Sequence, residues 1–257
     1  MEKLTVVKVG GKVVEDPASL EKLLSDFSKI EGKKILIHGG GKTASNISEK
    51  LGITPKMVDG RRITDAETLK VVVMTYAGLV NKTIVAALQA LGCNATGLSG
   101  ADLNCIVSTK REVKEIDYGF VGDIKKVNAA LLSKLLDMNV IPVMAPITHD
   151  GKGQLLNTNA DTIATRVAIA MAPFFETNLI LCFEKKGVLS NNDNDDSVIP
   201  SLTHEYFEEL KSKKVIKEGM IPKLDNGFAA IRQGVKKVII TNFNSLSEQN
   251  ISGTELV

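Results

Sequence analysis

Val6-Val7-Lys8-Val9-Gly10-Gly11-Lys12-Val13-Val14 sets an ammonium group inside an apolar run and removes the side chains two positions further on. A short apolar run closed by glycine reads as a buried strand. Taken alone, the glycine pair also fits a β-turn after an edge strand, with Lys8 in water. The surrounding pattern has to separate the two. Similar runs recur at Leu4–Val9, Lys34–His38, Ala95–Leu98, Val140–Pro146, Leu179–Phe183 and Lys237–Thr241. Stretches of helical spacing lie between them, at Leu20–Ile30, Lys42–Leu51, Ala66–Ala90, Asn128–Met138, Asp161–Met171, Glu205–Ser212 and Leu224–Gln233. This alternation predicts an α/β fold, a three-layer αβα sandwich around an open, mainly parallel central sheet.

Two segments break the rhythm. Ile106–Val127, with Tyr118-Gly119-Phe120-Val121-Gly122-Asp123 inside it, reads as a β-hairpin excursion, and the polar Asn191–Ser197 as a solvated loop. No internal repeat or low-complexity linker divides the chain, so one two-lobed domain is the simplest parse.

At 257 residues the chain is long enough for one large α/β domain. Its 44% hydrophobic and 24% charged residues are ordinary for a globular protein, and a formal charge of +2 gives no ground for a nucleic-acid surface. No uninterrupted apolar run reaches the length of a membrane span, and Met1-Glu2-Lys3 passes directly into a strand rather than a signal peptide. Cys93, Cys105 and Cys182 are odd in number and widely spaced, which points to core fillers in a reducing compartment. His38, His149 and His204 lie too far apart for local metal-ligand spacing, so no resident metal site is expected. The expectation is a cytoplasmic enzyme or binding protein acting on small molecules, with no nucleic-acid or membrane partner.

Ligands of open α/β sheets bind at the carboxyl ends of the strands. Three motifs converge there. Gly10-Gly11 closes the first strand, His38-Gly39-Gly40-Gly41 closes the second, and Val140–Pro146 leads through a turn to Asn157-Thr158-Asn159-Ala160-Asp161. Glycines before a helix let backbone N–H groups close on phosphate oxygens, although a plain strand-to-helix turn has the same sequence. A P-loop is excluded by Leu36, and a dinucleotide fingerprint by Ala44. Asn159 or Asp161 alone fits a helix N-cap, but capping does not explain polar residues at three alternate positions. Gly219-Met220-Ile221-Pro222-Lys223 adds a lysine that alone reads as a loop with a charged residue, and Gly60-Arg61-Arg62-Ile63-Thr64-Asp65 adds an arginine pair that alone is equally readable as solvated. An arginine of this kind is suited to bidentate carboxylate capture.

Taken together, Lys-x-Gly-Gly, His-Gly-Gly-Gly, Gly-x-Arg-x-Thr, Asn-x-Asn-Ala-Asp and Gly-Met-x-x-Lys stand here in the order and at the separations of the amino acid kinase family. The chain closely resembles that family's acylglutamate kinases from residue 4 to near the C-terminus. The resemblance implies the amino acid kinase fold, with residues 1–175 as the acylglutamate-binding and dimerisation lobe and 176–257 as the nucleotide-binding lobe. It implies ATP-dependent phosphorylation of the γ-carboxylate of N-acetylglutamate in arginine biosynthesis, with N-succinylglutamate as the alternative acceptor. Aspartate or UMP kinases and a non-catalytic sensor fit less well. Carried over residue by residue, it implies that Lys8 and Lys223 clamp the transferring phosphoryl group and that Asp161 holds both lysines. Gly11, Gly40 and Gly41 would donate backbone N–H groups to phosphate and substrate, while Gly10 and Gly39 shape the turns. Arg62 would bind the α-carboxylate, and Asn157 and Asn159 would line the acylamino acid site. ATP would bring Mg²⁺, and the protein would be a homodimer through the Ala66–Ala90 helix, where Val71, Val72, Val73, Met74 and Tyr76 are more apolar than one buried face requires. Relatives that respond to arginine carry a helix ahead of the first strand; only three residues precede Leu4 here, so indifference to arginine is expected. Cys182-Phe183-Glu184-Lys185-Lys186-Gly187-Val188 and Pro146-Ile147-Thr148-His149-Asp150 depart from the usual pattern of the relatives.

Overall fold

The computed structural model describes the chain except residues 59, 192, 217–218 and 247–251. One residue of the predicted Asn191–Ser197 loop, Asn192, therefore lies outside the described residues.

Among the described residues the main sheet has eight strands. Their order across the sheet is Ser201–Leu202, Thr254–Leu256, Lys237–Asn242, Glu176–Phe183, Lys3–Val9, Lys33–His38, Ile141–Met144 and Ala95–Leu98. Every neighbouring pair is parallel except Lys237–Asn242 with Thr254–Leu256. Lys3–Val9 is thus a central strand, parallel to both neighbours and buried from Leu4 to Val9. Lys8 is no edge residue, which disposes of the β-turn alternative.

Side chains of a strand alternate between faces, and the alternation assigns two cores. Leu4 and Val6 pack with Ile35, Ile37, Leu179 and Leu181 against Ile163, Val167 and Met171 of the helix Ala160–Met171. Val7 and Val9 pack on the other face with Leu36, Ile180 and Cys182 against Leu23 and Phe27 of Pro17–Ser28 and Ile84 and Leu88 of Asn81–Ala90. This is the three-layer sandwich the alternation predicts. Lys8 shares its face with Leu4 and Val6, so its side chain runs toward the start of Ala160–Met171.

The helix starts follow capping chemistry. Asp16, Asp65, Asn128, Asn159 and Thr203 each accept a hydrogen bond from the backbone N–H three residues on, each worth about 1 kcal/mol.

Four features go beyond the sequence reading. A five-residue helix, Gly11–Glu15, follows the first glycine pair. The hairpin of Ile106–Lys110 and Gly122–Val127 forms as expected, but it is half of a four-stranded sheet completed by Ile147–His149 and Leu155–Asn157. A two-residue ladder, Met57–Val58 with Arg61–Arg62, holds the arginine pair. Finally, Ala66–Ala90 is one continuous helix in which Met74–Val80 takes π-type hydrogen bonding. Among the described residues it is also long and apolar enough to cross a membrane. Lys70 and Lys82 interrupt its apolar runs, so a search for unbroken runs passes over it. Here it is a core helix: Val71, Val72, Tyr76, Val80, Ile84 and Leu88 are buried in the protein.

Candidate active site

The carboxyl ends of Lys3–Val9 and Lys33–His38 are stitched into one rim. Gly10 N–H donates to Cys182 O (3.1 Å) and Gly39 N–H to Val9 O (3.0 Å). Gly11 and Gly41 each open a helix, so their amides have no intrahelical acceptor. The two turns are pressed together. A Cβ on Gly39 would stand 3.0 Å from the Gly11 nitrogen, and one on Gly11 would stand 3.4 Å from the nitrogens of both Gly40 and Gly41. Gly40 has φ of 153°, a conformation open in practice to glycine alone. Three amides are gathered in a space that side chains would fill, which is the cradle a phosphate needs.

His38 fixes the second turn. Its ring Nδ1 lies 2.8 Å from Gly39 O and its Nε2 3.1 Å from Asn81 Nδ2, while the same amide donates to Val143 O. The arrangement calls for a neutral ring that donates from Nδ1 and accepts at Nε2. Complete burial agrees, pushing the imidazole down to about 4.

Beside the glycines lies a charged triad. Asp161, in the first turn of Ala160–Met171, meets Lys8 Nζ at 2.8 Å through Oδ1 and Lys223 Nζ at 2.9 Å through Oδ2. Lys223 stands in the first turn of Ile221–Arg232. Burial raises the pKa of the Asp161 carboxyl, but the ammonium groups of Lys8 and Lys223 outweigh it and hold it at about 2. Asp161 therefore stays ionised and cannot serve as a base near neutral pH. Two ammonium groups on one carboxylate leave a surplus positive charge facing the rim. Buried charge without a partner is costly, so the triad is poised for an anion.

Lys8, Lys223, Gly10, Gly11 and Gly41 line one cleft of about 550 Å³, whose far wall is Phe183, Val188, Leu189, Ile216 and Met220. Its wall combines a cationic end with an apolar end, the chemistry of a phosphorylated ligand carrying a flat hydrophobic group. Lys12 and Glu184 pair across it at 3.1 Å. A second hollow of about 420 Å³, between Val14, Leu20 and Leu79, holds none of the triad or of the gathered glycine amides.

Arg62 is buried on the other side of the glycine rim. Its Nη2 donates to Gly41 O and Ser45 Oγ, both at 2.7 Å, while its Nη1 is buried with no partner. A buried guanidinium with an idle nitrogen is a site for an acceptor such as a carboxylate. Asn157 Nδ2 donates to Thr64 Oγ1 at 3.0 Å. Asn159 is an exposed N-cap whose Oδ1 accepts from Thr162 N. Capping thus accounts for its oxygen, and only its amide nitrogen is left for a ligand.

The triad, both glycine turns and Arg62 converge as the sequence reading expects. Ser45, the Lys12–Glu184 pair and Tyr76 at the rim were not anticipated. Tyr76 did carry a signal, a polar-tipped aromatic in the buried 72, 76, 80, 84, 88 stripe of its helix.

The model of the amino acid kinase family matches residues 3–242. A protein of Phocaeicola vulgatus named acetylglutamate kinase is 60% identical over 247 residues, 96% of each chain. One of the same name from Cytophaga hutchinsonii is 54% identical, covering 100% of this chain and 99% of its own. Among solved structures, smu.665 from Streptococcus mutans UA159 superposes with a TM-score of 0.80 at 27% identity, over 99% of this chain and 98% of that one.

Proposed function

The chain belongs to the amino acid kinase family, and from that premise we propose that it transfers the γ-phosphoryl group of ATP to the γ-carboxylate of N-acetylglutamate. The observation that carries the reading is Asp161 holding Lys8 and Lys223 together at a rim of free glycine amides. The names of relatives at 54–60% identity supply the acceptor, and arginine biosynthesis follows with it.

The acceptor carboxylate is ionised at pH 7, so its attack needs no general base. A carboxylate oxygen forms a bond to the γ-phosphorus as the bond from that phosphorus to the β–γ bridging oxygen breaks. The electron pair leaves with ADP, and an acyl phosphate remains. The obstacle is repulsion between two anions that must meet in line. Lys8 and Lys223 offset that charge, the amides of Gly11, Gly40 and Gly41 hold the phosphoryl oxygens, and Gly10 and Gly39 keep the turns in register. Arg62 takes the α-carboxylate through its idle Nη1, and the amides of Asn157 and Asn159 border the acyl group. Among the described residues no cluster of carboxylates, histidines or cysteines suits a metal ion. Mg²⁺ in this reading arrives on the ATP phosphates and neutralises part of their charge.

In this reading residues 1–175 form the acceptor lobe and 176–257 the nucleotide lobe, with adenosine against Phe183, Val188 and Met220. We place the enzyme in the cytoplasm, where ATP is present and free thiols such as its three buried cysteines persist. A homodimer through Ala66–Ala90 is part of the proposal, supported by Met74 and Leu79, which stand 55% and 56% exposed on that helix.

ADP release should be followed with N-acetylglutamate, N-succinylglutamate, glutamate, aspartate and UMP offered separately. Preferential turnover of N-acetylglutamate is expected. Turnover of aspartate or UMP alone would move the chain to another branch of the family, and no turnover at all would leave only a sensor.

A further inference from the structure

The helix Ala66–Ala90 widens to π-type hydrogen bonding over Met74–Val80. Such turns are rare and tend to persist where function requires them. No proline forces this one. Within this turn, a Cβ on Gly40 would lie 3.2 Å from Tyr76 Cδ1 and 3.6 Å from Val80 Cγ2. The Tyr76 ring therefore lies directly against the glycine rim, and the residue is only 5% exposed.

At its other end the phenol faces Arg62. Burial raises the pKa of the Tyr76 hydroxyl and the guanidinium works against that rise, so the group is protonated at neutral pH. Arginine carries five donors and no acceptor. The hydroxyl oxygen can accept from Arg62, but the hydroxyl proton has nowhere to go on it. The phenol proton is thus left for a group other than the guanidinium, and Arg62 Nη1 is buried and idle. One buried donor, Arg62 Nη1, and the phenol hydroxyl beside the same guanidinium thus lie next to Gly40 and Gly41, and a carboxylate offers two oxygens that only accept.

We propose that Tyr76 Oη and Arg62 Nη1 form a paired donor site for the α-carboxylate of the acceptor, which makes Tyr76 a specificity-determining residue of the reaction. The proposal rests on the reading of the acceptor as an N-acylated glutamate. Arg62 supplies charge, and Tyr76 supplies the second direction that fixes the carboxylate plane in the bound acceptor.

The test is steady-state kinetics of Tyr76→Phe, which keeps the ring on Gly40 and removes only the hydroxyl. The acceptor KM should rise roughly tenfold or more, as for a lost hydrogen bond to a charged group, with the ATP KM and kcat little changed. A second arm uses the α-amide of N-acetylglutamate. Wild-type enzyme should discriminate strongly against the amide, and Tyr76→Phe should lose a large part of that discrimination. An unchanged acceptor KM would overturn the proposal. So would an equal rise in the ATP KM, because that would make Tyr76 a prop for the Gly40 turn. Wild-type enzyme that phosphorylates N-acetylglutamate while Tyr76→Phe behaves identically refutes the role of Tyr76 alone. Wild-type enzyme that phosphorylates no acylglutamate refutes the underlying reading and this proposal with it.

Discussion

Lys223 stands 62 positions beyond Asp161 in the chain and 2.9 Å from it in space. The other carboxylate oxygen holds Lys8 at 2.8 Å. One buried anion thus organises two cations from opposite ends of the sequence, and the two kinds of deletion are not equivalent. Asp161→Asn leaves two ammonium groups without their counter-charge, and breaking a buried pair in this way costs about 3–5 kcal/mol. Lys8→Ala leaves Asp161 with Lys223 and should cost less stability. Both should lower kcat by roughly a hundredfold or more, the scale for losing a charge-stabilising donor. Lys8→Ala should do so with little change in either KM. Denaturant unfolding and steady-state assays on both variants check this. Near-normal turnover in Lys8→Ala would remove it from the chemistry.

Arg62→Ala separates the two substrates. The guanidinium binds Gly41 O and Ser45 Oγ and keeps Nη1 for a ligand, on the side of the rim away from the apolar wall of the cleft. The acceptor KM should rise by roughly a hundredfold, within the range for a charged hydrogen-bonding partner, while the ATP KM holds. An equal loss in ATP affinity would assign Arg62 to the phosphate site.

The outward face of Ala66–Ala90 should mediate self-association. Of the residues that made this helix look too apolar for one chain, Val71, Val72 and Tyr76 are buried in the protein's own core. Burial within one chain accounts for most of the pattern, and the case for a dimer narrows to Met74 and Leu79. Light scattering should give a dimer mass for the wild type at micromolar concentration and a monomer for Met74→Glu/Leu79→Glu. A monomeric wild type would leave this face as ordinary surface.

Long-period patterns carried the fold. Six apolar runs each became a strand of the main sheet, and alternation within Lys3–Val9 put Lys8 on the face of the helix that carries Asp161. Short elements stayed hidden, because Ile147–His149 and Leu155–Asn157 are three residues each and show no period. At the site, charged and glycine residues were legible because burying them has few structural explanations. Tyr76 was not, since an aromatic on a buried stripe is explained by packing alone. Asn159 shows the converse: its oxygen does the capping that residue type alone suggested.

His38 should make the protein's stability fall in mild acid. Its ring is fully buried, donates to Gly39 O and accepts from Asn81, so protonation destroys the acceptor and places a charge in the core. Burial holds its folded pKa at about 4, below the ordinary 6.5. A depressed value means that unfolding takes up a proton. The contribution is therefore complete above pH 6.5 and is lost progressively as pH falls toward 4. Between pH 7 and pH 5 the loss should be about 2 kcal/mol. His38→Asn has no ring to titrate, so it should begin less stable at pH 7 and lose about 2 kcal/mol less over the same interval. His149 and His204 are common to both proteins and cancel in the difference. Urea unfolding of the two proteins at pH 7 and pH 5 measures it. Parallel losses would mean that His38 is not the group whose protonation loosens the rim.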